Sequence, residues 1–131
     1  MRAYLPITPQ GLQDFLKSGS IYADRAFIVD ESLLENDVTT SDDQEELEFE
    51  VSWSAAVKSR EMQDDSAALG FALALDVEPG QVGKADGNEV ALLSAISWSQ
   101  VQSLLVSESE DPELSWFAPQ EIATYLPQWL A

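Results

Sequence analysis

The sequence predicts an α+β fold, built on a single mixed or antiparallel sheet of about five strands with helices packed mainly on one face. Three observations carry this reading. Short runs that alternate large apolar with small or polar residues, as in 69–77, have the period of a strand. Capped segments with helical spacing lie between them, at 8–19 and 41–63. The two kinds of segment mix without regular alternation, and no internal repeat, linker or shift of composition divides the 131 residues, so 1–131 reads as one domain.

Residues 2–6 read as an opening strand. Thr8 then stands as a helix N-cap, with Pro9 at the first helical position, where its missing N–H costs nothing. Leu12, Phe15 and Leu16 fall on one face, and Gly19 ends the helix after Lys17. Residues 25–29 form an apolar run of strand length that stops at Asp30. Strand, helix and strand in this order suggest a βαβ-like opening, although the connection is short for a parallel crossover. A short helix is expected around 31–36.

No Gly or Pro occurs between Gly19 and Gly70. Inside that interval Ser41-Asp42-Asp43-Gln44 reads as a capping box, and Lys58 and Arg60 sit near the other end, both in keeping with a helix dipole. Residues 46–54 alternate polar and apolar like a strand, but the caps and the unbroken length favour a helix from 42 to about 63. On that helix Leu47, Val51, Ala55 and Met62 form one stripe, and Phe49, Trp53, Ala56 and Val57 form another nearly opposite, so cover on two sides is expected.

Residues 68–77 read as a strand whose small residues imply a tightly covered second face. Pro79-Gly80 and Asp86-Gly87-Asn88 are turn signals enclosing a polar loop. Two further strands, 89–93 and 100–106, are joined by 94–98. An acidic loop, 107–113, leads to a short strand at 114–117. Pro119 opens a last helix with Ile122, Tyr125 and Leu126 on its apolar face.

Composition bounds the chemistry. Hydrophobic residues make up 45% and charged residues 23%, enough apolar content for a core. Against 24 Asp and Glu stand 6 Lys and Arg, for a net charge of -18, with no His and no Cys. Thiol nucleophiles, Ser-His-Asp triads, disulfides and metal sites built on His or Cys are therefore excluded. So few basic groups argue against direct binding to nucleic acid or to an anionic membrane surface. No stretch is long and apolar enough to span a bilayer, and Pro6, Pro9, Gln10 and Asp14 interrupt any secretory signal, so a cytoplasmic location is expected. Glycine-rich phosphate loops are missing, and the acidic clusters lack the spacing and glycine of an EF-hand, so neither a cofactor nor a resident metal is expected.

The acidic residues cluster at Asp42, Asp43, Glu45, Glu46, Glu48 and Glu50, then at Glu61, Asp64 and Asp65, and again at Glu108, Glu110, Asp111 and Glu113. No Lys or Arg follows Lys84. Such runs are ordinarily a solvated surface. Their sharper reading is a negative face that steers a basic protein or imitates the phosphates of a nucleic acid. Of four tryptophans, Trp53 and Trp98 read as core, whereas Trp116 and Trp129 are the candidates for exposure. Trp116 and Phe117, beside an acidic loop, read either as an edge-strand packing pair or as an apolar interface anchor.

The opening Met1-Arg2-Ala3-Tyr4-Leu5-Pro6 with Thr8 and Leu12, the central Glu45-Glu46-Leu47-Glu48-Phe49, and the run Glu113-Leu114-Ser115-Trp116-Phe117-Ala118-Pro119-Gln120-Glu121-Ile122 carry a resemblance. On these motifs the chain resembles a family of short, acidic, uncharacterised proteins from actinobacteria. The resemblance implies a bacterial cytoplasmic domain of unknown function with an Ala-rich central helix, and it implies no activity. Trp53 and the Ser-rich stretch 94–109 depart from that pattern.

The function expected from the residues is therefore a non-enzymatic protein-interaction domain, its acidic surface turned to a basic partner. Two alternatives stay open: a carboxylate-based or divalent-metal-dependent enzyme, which needs two carboxylates across a cleft, and a structural homo-oligomeric subunit such as a homodimer.

Overall fold

The computed structural model describes residues 2–23, 25–28, 41–63, 69–86, 89–108 and 114–130. Strand β1 (Arg2–Ile7) leads to helix α1 (Pro9–Ser18), β2 (Ser20–Ile21) and β3 (Arg25–Ile28). The long helix α2 (Ser41–Met62) precedes β4 (Gly70–Asp76), β5 (Val82–Asp86), β6 (Glu89–Leu92) and β7 (Ile96–Ser97). Strands β8 (Val101–Ser107) and β9 (Ser115–Phe117) and helix α3 (Pro119–Leu130) complete it. The main sheet runs β5-β6-β3-β1-β4-β8-β9, and β2 pairs with β7 in a separate ribbon.

The architecture is α+β, and the sheet is larger than expected, with seven strands against about five. Part of the difference is β5. The run Val82-Gly83-Lys84-Ala85-Asp86 has no strand period and reads as a polar loop, but it pairs with β6 from Val82–Leu92 to Asp86–Glu89. Tertiary pairing, rather than its own pattern, makes it a strand. The opening has the order strand, helix, strand, but β1 and β3 pair antiparallel, with Ala3 opposite Ile28 and Tyr4 opposite Phe27. It is therefore no parallel crossover, as the shortness of the connection foretells. The helix expected at 31–36 lies outside the described residues.

Local chemistry sets α1. Thr8 accepts the Gly11 N–H on its hydroxyl at 3.1 Å. Gly19 closes the helix in the left-handed region at φ 79°, its N–H on the Phe15 carbonyl at 2.8 Å. At α3, Pro119 takes the first position and Glu121 accepts the Ala118 N–H at 2.9 Å.

The two sheet faces are covered differently. Ala3, Leu5, Ile7, Phe71, Leu73 and Leu75 point to the face where Leu12 and Phe15 of α1 and Ile122 and Leu126 of α3 pack. The alternate residues, Tyr4, Ala72 and Ala74, meet Val51, Ala55 and Ala56 of α2 on the other face. The helices thus lie two on one face and one on the other. The alanines of β4 are what let α2 approach, as their alternation with large residues implies. The approach is tight at Gly70, where an added Cβ would collide with the Ala56 carbonyl oxygen. Buried Ser59 of α2 donates to the Ile7 carbonyl at 2.6 Å and accepts the Phe71 N–H at 2.9 Å, pinning the helix to β1 and β4 together.

In β8, Val101 faces the α1 side and so do Leu104 and Val106. Strict alternation would put Val101 and Leu104 on opposite faces. An irregularity opposite Ala74 and Leu75 inserts Gln102 and resets the register, which resolves the conflict.

Candidate functional site

Helix α2 and the Trp116 side of the edge strand β9 share one face of the sheet. Trp116 stands opposite Leu105 in the β8–β9 register. Directly opposed residues project to the same side, and Leu105 packs with the α2 cluster, as does Leu114. Trp116 therefore stands on the α2 side, at the edge, and is 61% exposed. Phe117, one residue on, projects to the opposite side and packs edge-on against Tyr125 at 5.1 Å and Trp129 at 5.3 Å. The expected pair is thus divided by the pleat: Phe117 fastens β9 to α3, and Trp116 alone presents an apolar surface.

Along α2 the carboxylate Glu50 is exposed and Glu48 half-buried. Burial chiefly, and then the negative charge of Glu48, push the Tyr4 phenol above its ordinary 10.0, while a hydrogen bond and the charge of Arg2 pull the other way. Glu108, at the end of β8, is exposed. The side chains of Asp42, Asp43, Glu45 and Glu46 lie outside the described residues, as do Glu110, Asp111 and Glu113.

The two stripes expected on α2 resolve into one buried face and one flank. Val51, Ala55, Ala56 and Ser59 are buried, whereas Met62 is 48% exposed, which corrects its place in the core stripe. Phe49 is 38% exposed and Trp53 half-buried, with the Arg60 guanidinium 6.0 Å from the Trp53 ring centre. Trp53 is thus a flank residue instead of a core one. Its partner Arg60 also donates to the Ser107 carbonyl at 3.3 Å. Trp98 meets Phe15 edge-on at 4.9 Å, and Trp129 folds back onto Phe71 at 5.3 Å, so neither is an exposed anchor.

A second feature escapes sequence reasoning. The β1–β3 register ends at Tyr4–Phe27, and beyond it the strands part. Ile7 turns its carbonyl toward β4, where Ser59 meets it. Polar groups alternate sides along a strand, so Pro6 turns its nitrogen toward β3, where no N–H is needed. The opening holds a groove of ≈ 670 Å³, walled by Lys58 and Met62 of α2, by Arg25 and Phe27 of β3 and by Tyr22, with Pro6 beneath and Glu89 of β6 at the side. No motif announces it, because its walls come from elements far apart in the chain. The isolated Arg25 at the head of an apolar strand is the one local signal.

Among the described residues no group of three acidic side chains is placed to hold a metal ion, and no helix is long and apolar enough to cross a membrane. Residues 1–113 match the profile described as Family of unknown function (DUF6912), which takes in the sheet from β1 to β8 and all of α1 and α2. No curated protein and no solved structure matches the chain.

Proposed function

The chain belongs to DUF6912, a family of unknown function, and from that premise we propose that it is a non-enzymatic interaction domain whose acidic face receives a basic protein. The observation that carries this reading is Trp116, an indole 61% exposed at the edge of the sheet face that also bears α2. Aromatic side chains of this kind are the residues that dominate interface energies when a partner buries them. A net charge of -18 supplies attraction at a distance, and Glu48, Glu50 and Glu108 supply carboxylates around the face. Charge then governs encounter and the indole governs residence. Imitation of nucleic-acid phosphates is the form this takes if the partner binds nucleic acid.

The carboxylate-enzyme alternative asks for two acids across one cleft; among the described residues the groove offers one, Glu89, which is paired with Arg25 at 3.4 Å. The test is capture from nuclease-treated lysate of the source cells, followed by calorimetry on the purified partner. A basic partner is expected, held about tenfold more weakly by the double variant Glu48→Lys, Glu50→Lys and by Trp116→Ala alike. A partner indifferent to both changes overturns the proposal.

A further inference from the structure

The groove between β1 and β3 departs from the charge of the rest of the molecule. Carboxylates outnumber cations 24 to 6 in the chain, yet among the described residues the groove is lined by Arg25 and Lys58 against one carboxylate, Glu89. Both cations are committed only loosely. Arg25 touches Glu89 at 3.4 Å and Lys58 touches Glu61 at 3.6 Å, and each of these side chains is at least 39% exposed. Exposed pairs of this kind contribute little and open at little cost. Most of the remaining lining is apolar, Pro6, Ile21, Phe27 and Met62 among it, with the Thr8 side chain as a polar exception and Tyr22, 71% exposed, at the rim. A volume of ≈ 670 Å³ lies inside the range of small-molecule clefts, roughly 300–1,000 Å³.

We propose that this groove binds a small organic monocarboxylate with an apolar body. The body lies over Phe27, Pro6 and Met62, and the carboxylate is received between Arg25 and Lys58, displacing the weak contacts these make with Glu89 and Glu61. A cation would meet two like charges. A polyanion such as a nucleotide would leave most of its charge unpaired beside Glu89 and within the field of a molecule of net charge -18. A single negative charge is repelled by that field in proportion to its one charge, and salt screens the field beyond about 8 Å at physiological ionic strength.

The experiment is a titration of the isotopically labelled protein, followed by amide resonances, with sodium octanoate, sodium 1-naphthoate, octanol and octylammonium. Saturable shifts at Tyr22, Phe27 and Met62 are expected with one or both carboxylates, with octanol binding at least tenfold more weakly and octylammonium not at all. Lys58→Met keeps the apolar stem and removes the charge, and should weaken the carboxylate about tenfold, the loss of one charge-assisted hydrogen bond. Met62→Glu, at an exposed position that leaves folding intact, should abolish binding. Failure of both carboxylates to saturate, equal affinity for octanol, shifts confined to other surfaces, or indifference to Lys58→Met overturns the inference.

Discussion

Ser59 joins three elements through one hydroxyl. It accepts the Phe71 N–H and donates to the Ile7 carbonyl in a position with no solvent access. Removing it strands a buried donor and a buried acceptor at once, and each such loss costs of order 1–3 kcal/mol. Ser59→Ala should therefore lower the free energy of unfolding by about 2–3 kcal/mol. Urea titration checks this against Ser54→Ala, whose hydroxyl bonds the Glu50 carbonyl at an exposed position and whose loss should stay within about 0.5 kcal/mol. Equal effects at the two serines would deny Ser59 its pinning role. Its importance is not legible in the sequence, where it is one serine among several on a polar-looking segment. What decides its role is the pair of central strands beneath it, β1 and β4.

At the scale of elements, the central contact is α2 on β4. It depends on a stripe of small groups: Ala55 and Ala56 from the helix, and Gly70, Ala72 and Ala74 from the strand. Gly70→Ala places a methyl against the Ala56 backbone, which cannot swing aside like a side chain, and should cost about 2 kcal/mol or more. Gly80→Ala meets nothing within 4 Å and should change stability by less than about 0.5 kcal/mol, so thermal or urea unfolding of the two variants separates crowding from the general cost of replacing glycine. The elements that the sequence reveals best are those whose signals are local. Thr8, Pro9 and Gly19 bound α1 to within a residue, because caps act through adjacent backbone groups. The alternation in 69–77 reveals both β4 and the tight cover on its alanine face. By contrast β5 and the ribbon of β2 with β7 are held by partners elsewhere, and no run of residues displays them beforehand. The candidate site divides in the same way. The exposure of Trp116 is half legible, since alternation in a strand must send Trp116 and Phe117 to opposite faces. Which of them turns inward is settled by α3, whose Tyr125 and Trp129 claim Phe117.

For the molecule as a whole, a net charge of -18 sets the fold against its own field. Self-repulsion of this size destabilises the compact state and is relieved by screening. The melting temperature should therefore rise by a few degrees between about 20 and 200 mM sodium chloride at pH 7, across which the Debye length falls several-fold. Scanning calorimetry provides the measurement, and a melting temperature that falls with salt would mean that local ion pairs outweigh the net charge. Sequence composition discloses the net charge completely, because it is a sum over residues and needs no coordinates. The order of the strands is another matter. β1 stands between β3 and β4, and Ala3 faces Leu75 across the ladder, so β1 acquires this neighbour only after α2 and most of β4 have been synthesised. Until then one side of its backbone and its alternate side chains are without the strand that later covers them. Contacts between such distant parts of a chain slow folding and lengthen exposure to aggregation. The nascent protein thus passes through a stage in which its future centre is an open edge, and the repulsion that weakens the finished fold keeps such chains apart in that interval.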